Sequence, residues 1–369
     1  MVFVIKMAIF YVKPQGCTCN IADASKISKY LISQGHTLTN VVHKADKIII
    51  VTCGFNELKL NKSLNELNRL NSLFKNKLYI AGCVPKIRPD SLKNFNVVAS
   101  PRDFSGLNLF ANKVSNKSID DVSPSFFKDN LFYIKISTGC TGKCSFCAIK
   151  KASGFTKSRS INSIIKDVNF AIKKGYSKIA LIGDDIGSWG ADVHLKLSDL
   201  LSELILLDGD FELMLSSIHP KNLLKDKKII QLLNSKKIGN TIYLPHQSAS
   251  NKILNLMNRE YSIQDYFELV KEIKLVRPDM QIQSDLLVGF PTESEEDHKK
   301  NLKFIKSTNI YFLQVFMYTP MKGTLSEKFT DIPEDIKLRR CNELIDLFLE
   351  KNANEDRLLI NTNINYNFK

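Results

Sequence analysis

The chain has 369 residues, 44% of them hydrophobic, and a formal net charge of +14, which is enough for about two domains with separate cores. Of its 52 basic residues 43 are Lys and nine are Arg, so a polyanionic partner is permitted but not required, because phosphate affinity follows clustered rather than total charge. No run of about 18 apolar residues occurs, which excludes a helical membrane span, and eight cysteines in an α/β pattern read as reduced thiols of a cytoplasmic protein rather than secreted disulfides.

The run Met1–Lys13 is apolar but interrupted by Lys6 and Lys13 and has no small-residue cleavage site, so Phe3–Val12 reads as a core strand. Strand and helix then alternate to residue 112. A helix is expected near Ala24–Gln34, where Ile27, Tyr30 and Leu31 share a face and Gly35 stops it, followed by a strand at Lys47–Thr52, a helix near Leu60–Phe74 and a strand at Lys77–Ala81. This alternation predicts a parallel α/β sandwich over residues 1–112. Gly16-Cys17, Thr52-Cys53 and Gly82-Cys83 each fall at or after a strand end, and in a parallel sheet such ends line one edge. Three converging thiolates suit a [4Fe–4S] cluster with one open iron; three buried cysteines of a sheet edge are the plain alternative. Cys19 could replace or crowd Cys17 or, on an extended loop, point to a different face.

Residues 113–130, with Asp120-Asp121 and Pro124, read as a linker. From residue 131 to 350 six apolar runs recur with helical segments between them: Leu131–Ile136, Lys178–Ile182, Phe211–Leu215, Thr241–Leu244, Gln281–Val288 and Phe312–Tyr318. Six β/α units predict an incomplete barrel of parallel strands whose functional groups lie past the strand C-termini. Those positions hold Gly183-Asp184-Asp185, Ser216-Ser217-Ile218-His219, Pro245-His246-Gln247-Ser248, Ser284-Asp285 and Thr319-Pro320. Pro333–Glu350 reads as an amphipathic helix with Leu338, Leu344, Ile345 and Phe348 inward and Cys341 a buried thiol. The polar residues 351–369 read as a stub with no further module.

The loop after the first barrel strand, Ser137-Thr-Gly-Cys140-Thr-Gly-Lys-Cys144-Ser-Phe-Cys147, has the spacing C-x3-C-x2-C. Three thiolates can hold three irons of a [4Fe–4S] cluster and leave the fourth open to a small molecule that receives an electron. Tetrahedral zinc would want a fourth Cys or His nearby, and none follows within the next two dozen residues.

From about residue 8 to about residue 350 the chain resembles the radical S-adenosylmethionine (SAM) methylthiotransferases. The match rests on Gly16-Cys17 with Asn20 and Asp23, on Thr52-Cys53, on Ala81-Gly-Cys-Val-Pro85, and on the cysteine loop with Gly154 and Ser158 after it. Leu244-Pro-His-Gln-Ser-Ala-Ser250, Met257-Asn-Arg-Glu-Tyr261, Ser284-Asp-Leu-Leu-Val-Gly-Phe-Pro291 and Tyr318-Thr-Pro-Met-Lys-Gly-Thr324 complete it. The resemblance implies an N-terminal methylthiotransferase domain, a partial (β/α)6 radical SAM barrel, and two [4Fe–4S] clusters facing one cavity. SAM would chelate the open iron of the cluster on Cys140, Cys144 and Cys147, and one electron would convert it to methionine and a 5′-deoxyadenosyl radical that takes hydrogen from a C–H bond. The cluster on Cys17, Cys53 and Cys83 would present the sulfur, so that C–H becomes C–S–CH3. Asp184 and Asp185 match positions that would meet the methionine ammonium group of SAM. Gln247, Ser248, Ser284 and Asp285 match positions that would hydrogen-bond its ribose or carboxylate, with strand-end capping as the alternative for each.

The chain departs from the family pattern at Ser153-Gly154, Thr292-Glu293-Ser294 and Met321-Lys322, positions near the cavity that bear on substrate identity. Most members carry a C-terminal TRAM β-barrel, which is not expected here. The acceptor implied is a modified adenosine at position 37 of tRNA, of the threonylcarbamoyl or isopentenyl type, and the form Ile136–Cys144 looks more like the threonylcarbamoyl branch. A protein or ribosomally made peptide side chain is the alternative acceptor, and a non-catalytic iron–sulfur RNA-binding or redox-sensing protein is the reading from another class. An electron donor such as flavodoxin or ferredoxin, no membrane, and a monomeric cytoplasmic enzyme complete the expectations.

Overall fold

A computed structural model describes residues 7–112, 117–352 and 358–361. Strands β1 (Ile9–Pro14), β2 (Thr37–Leu38), β3 (Lys47–Thr52), β4 (Leu78–Gly82) and β5 (Asn96–Val97) form a parallel sheet in the order β2-β1-β3-β4-β5. The β-branched run of β3 is buried on both faces, as a central parallel strand requires. Ile49 and Val51 pack with Ile27 and Leu31 of the helix Thr18–Ser33, whereas Ile48 and Ile50 pack with Leu60, Leu67 and Leu70 of the helix Glu57–Phe74. The first helix begins at Thr18 rather than Ala24 because its opening turns bury Asn20 and Asp23, polar residues that apolar periodicity does not register. Of the expected strand Phe3–Val12, residues 3–6 lie outside the described residues.

The segment expected to be a linker contains β6 (Ser125–Lys128), antiparallel to β7 (Leu131–Lys135). A short antiparallel ribbon of β8 (Ser137–Thr138) and β9 (Lys157–Ser158) brackets the cysteine loop. The strands β10 (Lys178–Ile182), β11 (Glu212–Leu215), β12 (Ile238–Tyr243), β13 (Gln281–Val288), β14 (Phe312–Met317) and β15 (Leu358–Asn361) complete an eight-stranded sheet, order β15-β14-β13-β12-β11-β10-β7-β6. From β7 to β14 the neighbours are parallel and follow chain order, with helices in the crossovers, the arrangement of a partial β/α barrel. Within the tail read as a stub, Leu358–Asn361 supplies an edge strand parallel to β14.

The helix Glu334–Lys351 buries Cys341, Leu344, Ile345 and Phe348, but Leu338 is 40% exposed, against expectation. Among the described residues no helix is long and apolar enough to cross a membrane.

Candidate active site

In the N-terminal sheet the strand ends are tied to one another before any side chain reaches the cavity. The amide of Cys83 donates to the Thr52 carbonyl (2.9 Å), the Thr52 hydroxyl to the Ala81 carbonyl (2.7 Å), and Ser63 Oγ accepts from the Cys53 amide (3.1 Å) and donates to its carbonyl (3.0 Å). Asn20 Nδ2 donates to the carbonyls of Gln15 (2.8 Å) and Thr52 (3.0 Å), while its Oδ1 lies 3.8 Å from Cys83 Sγ. Gly16 has φ +81°, and a Cβ there would lie 2.5 Å from Cys53 Sγ. Only glycine both adopts that backbone conformation without strain and leaves room for the thiol.

The cysteine loop of the barrel is anchored from β10. Gly139 (φ +88°) donates its amide to Asp184 Oδ2 (2.7 Å), and Thr141 donates its amide to Ser188 Oγ (3.1 Å). Donors point at the sulfurs: the Gly142 amide lies 3.0 Å from Cys140 Sγ, Arg259 Nη1 3.3 Å from Cys144 Sγ, and His219 Nε2 3.7 Å from Cys144 Sγ. Because His219 Nδ1 accepts from the Lys221 amide (3.2 Å), the ring proton belongs on Nε2, facing the sulfur. Arg259 is held by two further hydrogen bonds, Nη2 to the Pro245 carbonyl at 2.6 Å and Nε to the Tyr261 hydroxyl at 3.3 Å.

Both triads line one cavity of about 560 Å³ between the two sheets, so that Cys17, Cys53 and Cys83 share it with Cys140, Cys144 and Cys147. Cys19 also lines it and pairs with Cys17; this contact leads in holding the Cys17 thiol down to about 7, while burial pushes Cys53 and Cys83 up. Burial likewise raises Cys140, and Cys147 to about 11. Such sites favour thiolates chiefly when a cationic group arrives, and its binding releases the protons. All eight cysteines are free. Among the described residues no group of three or more His, Cys, Asp or Glu side chains is arranged to hold a single metal ion. Sulfur ligands in threes, with N–H donors aimed at Cys140 and Cys144, fit an iron–sulfur cluster.

The remaining expected site residues divide. Asp184, Asp185, Gln247 and Asp285 line the cavity. Asp185 is already saturated: its oxygens accept from the amides of Gly187 (3.1 Å) and His219 (2.9 Å), from Ser188 Oγ (2.5 Å) and from Asn222 Nδ2 (2.6 Å). It therefore braces the cysteine loop. Burial lifts the Asp285 carboxyl to about 7, and the Tyr243 hydroxyl donates to it. Gln247 has φ +70° and is pinned between the Asp285 carbonyl and the Leu287 amide, a strained conformation at a functional wall. Ser248 and Ser284 are fully buried and engaged elsewhere: Ser284 Oγ donates to the Leu244 carbonyl (2.7 Å) and contacts His246 Nδ1 (2.6 Å), and Ser248 Oγ meets Asn301 Oδ1. They cap scaffold. Arg259, His219 and Tyr243 also line the cavity; in the sequence they lie in motifs or at strand ends that do not mark them as site residues.

Residues 134–305 match the model of the radical SAM superfamily, and residues 9–100 that of uncharacterized protein family UPF0004. The chain is 31% identical over 354 residues to a probable threonylcarbamoyladenosine tRNA methylthiotransferase of Archaeoglobus fulgidus, covering 91% of this chain and 82% of that one. It is 29% identical to a tRNA-2-methylthio-N(6)-dimethylallyladenosine synthase of Thermodesulfovibrio yellowstonii, with the same coverage. Among solved structures, the radical SAM methyltransferase TsrM from Kitasatospora setae superposes with a TM-score of 0.62 at 10% identity, over 86% of this chain and 74% of that one. The radical SAM enzyme OxsB superposes with a TM-score of 0.60 at 11% identity, over 94% of this chain and 56% of that one. These two likenesses bear on the fold.

Proposed function

The chain belongs to the radical SAM methylthiotransferase family, and from that premise we propose that it converts a C–H bond of a modified adenosine in tRNA to C–S–CH3, using two [4Fe–4S] clusters. The observation that carries the proposal is the joint lining of one cavity by Cys140, Cys144 and Cys147 and by Cys17, Cys53 and Cys83. When bound, the clusters and SAM supply hydrogen-atom abstraction at an unactivated carbon and a methylthio sulfur to replace the hydrogen.

The chain's own residues bind and orient. The first triad would hold the cluster that SAM ligates, with Arg259 and Gly142 donating hydrogen bonds to its sulfurs. The second triad, set by Gly16 and Asn20, would hold the sulfur-bearing cluster. Asp184 and Gln247 are candidates for the polar groups of SAM, and the Tyr243–Asp285 pair for its ribose. An adenosine beside the anticodon is unstacked readily enough to enter such a cavity, and the net charge of +14 favours a polyanionic acceptor. A flavodoxin- or ferredoxin-type donor would supply the electron in a reducing, cytoplasmic setting, which suits eight free thiols.

The test is anaerobic reconstitution with SAM, a reductant and anticodon stem-loop RNA. 5′-Deoxyadenosine together with a methylthio mass gain on the RNA is the expected result; SAM cleavage with no change in any RNA would reject the tRNA acceptor.

A further inference from the structure

Along the barrel's cysteine loop the chain alternates between cavity and solvent. Gly142 and Cys144 line the cavity while Lys143 between them is exposed, and Arg259 lines it while its neighbour Glu260 is exposed. The outer face of this thin wall is clamped: Asn258 Nδ2 donates to the Lys143 carbonyl (3.0 Å), and the Ser145 amide donates to the Met257 carbonyl (3.0 Å). The helix Pro220–Lys225, which follows β11, adds two lysines. Lys221 Nζ meets Glu260 Oε1 at 2.5 Å, and this hydrogen bond, with the charges of Lys225 and Lys143 behind it, holds the Glu260 carboxyl below its ordinary range. Three ammonium groups thus face one carboxylate. The next acid along the chain, Asp226, is buried and accepts from the Ser198 amide (3.0 Å). Lys143 and Lys225 are exposed, and none of Lys143, Lys221, Lys225 and Glu260 lines the cavity.

This basic face has a short connection to the barrel sulfurs. Lys143 is covalently adjacent to Cys144, and the Lys221 amide donates to His219 Nδ1 (3.2 Å), whose Nε2 lies 3.7 Å from Cys144 Sγ. The reaction proposed above needs one electron for each SAM cleaved, delivered while the acceptor occupies the cavity. Tunnelling weakens steeply with distance, so the donor has to dock outside the cavity where the wall is thin. We infer that the outer face of the cysteine loop, formed by Lys143, Lys221 and Lys225, is the docking surface for a small acidic one-electron donor protein of the flavodoxin type. Carboxylates around its flavin meet the lysines, and the anionic flavin hydroquinone gives one electron to the cluster on Cys140, Cys144 and Cys147 and becomes a semiquinone. Weak encounters of this kind bury little surface and are steered by charge. The inference rests on the barrel cluster of the reading above and not on its RNA. A phosphate backbone would suit the charge as well, but a base has to be delivered into the cavity, and this face turns away from it.

The full chain is reconstituted as wild type, Lys143→Glu, Lys225→Glu, the double variant, and Lys303→Glu, a charge reversal at an exposed position of the helix Glu295–Ser307 that serves as the control. Iron content, flavodoxin affinity, and the rates of cluster reduction by flavodoxin hydroquinone and by reduced methyl viologen are measured without RNA; the viologen is a small reductant that needs no docking face. Affinity for an anticodon stem-loop is measured separately. In the double variant flavodoxin should bind more weakly and reduce the cluster about 10- to 100-fold more slowly at low salt, with the gap closing as salt rises. The single variants should fall between, and Lys303→Glu, the iron content and the viologen rate should match wild type. An unaltered flavodoxin rate in the double variant, an equal loss in Lys303→Glu, a parallel fall in the viologen rate, or a loss of RNA affinity while the flavodoxin rate holds would overturn the inference and leave the two-cluster reading intact. A wild-type chain that assembles no barrel cluster would overturn both.

Discussion

The Lys135 ammonium group and the Asp23 carboxylate meet at 2.7 Å, with 3% and 4% of their residues exposed, and join the first helix of the N-terminal layer to the end of barrel strand β7. Burial lifts the Asp23 carboxyl above the usual range, and although burial also opposes the Lys135 charge, the carboxylate carries its pKa upward. The pair lines the cavity between the triads and fixes one layer against the other.

Lys135→Met strands a buried carboxylate. It should destabilise the protein by about 3–5 kcal/mol, and Asp23→Leu added to it should recover most of that loss. Chemical denaturation of the three proteins reads this; additive losses in the double variant would mean that the two side chains do not act as a pair.

Gly16→Ala should disturb the second site, because the new methyl group would fall 2.5 Å from the Cys53 sulfur and the φ of +81° at the residue before Cys17 is strained for alanine. About half of the bound iron should be lost while SAM cleavage persists. Full iron content would show that the Gly16 turn does not shape the second site.

Arg259→Met removes both a positive charge and a donor 3.3 Å from Cys144 Sγ. The reduction potential of the barrel cluster should become more negative by on the order of 60 mV, the equivalent of one hydrogen bond of about 1.4 kcal/mol, with Arg259→Lys intermediate. A redox titration followed by electron paramagnetic resonance measures it, and an unchanged potential would count against the contact.

Asp285 gives a pH signature. Burial raises it from the ordinary 3.8 to about 7 in the folded state, so its favourable contribution is fully present below about pH 4 and is lost as pH rises through 7. Asp285→Asn should therefore gain about 2–4 kcal/mol relative to wild type between pH 4 and pH 8. Glu293, also raised to about 7 by burial, is common to both proteins and cancels in the difference. Parallel stability profiles would refute the assignment.

Much of this architecture is legible in the sequence where burial is two-sided. The strands Lys47–Thr52 and Lys178–Ile182 fall at their expected bounds because a central parallel strand is a nearly uninterrupted apolar run, and Gln281–Val288 also falls at its expected bounds although Gln283, Ser284 and Asp285 interrupt it. The edge strands Ser125–Lys128 and Leu358–Asn361 escape the same reasoning, since an edge strand needs neither length nor an apolar face toward every neighbour. At the site, residues whose chemistry is local, such as the cysteines and Gly16, are readable from spacing. Ser248, Ser284 and Asp185 are not, because a hydroxyl or carboxylate at a strand end is equally suited to a ligand and to a cap, and only the partners seen in three dimensions decide. Arg259 is legible as motif but not as role, since nothing in the sequence brings it to Cys144.

The most direct test is anaerobic reconstitution and iron counting, alongside product analysis, for the wild type and the Cys17/Cys53/Cys83→Ala triple variant. Two clusters predict about eight irons falling to about four, with SAM still cleaved to 5′-deoxyadenosine but methylthio transfer abolished. About four irons in both proteins, or a variant that still transfers the methylthio group, would contradict the account of a second cluster as the sulfur-bearing half of this cavity.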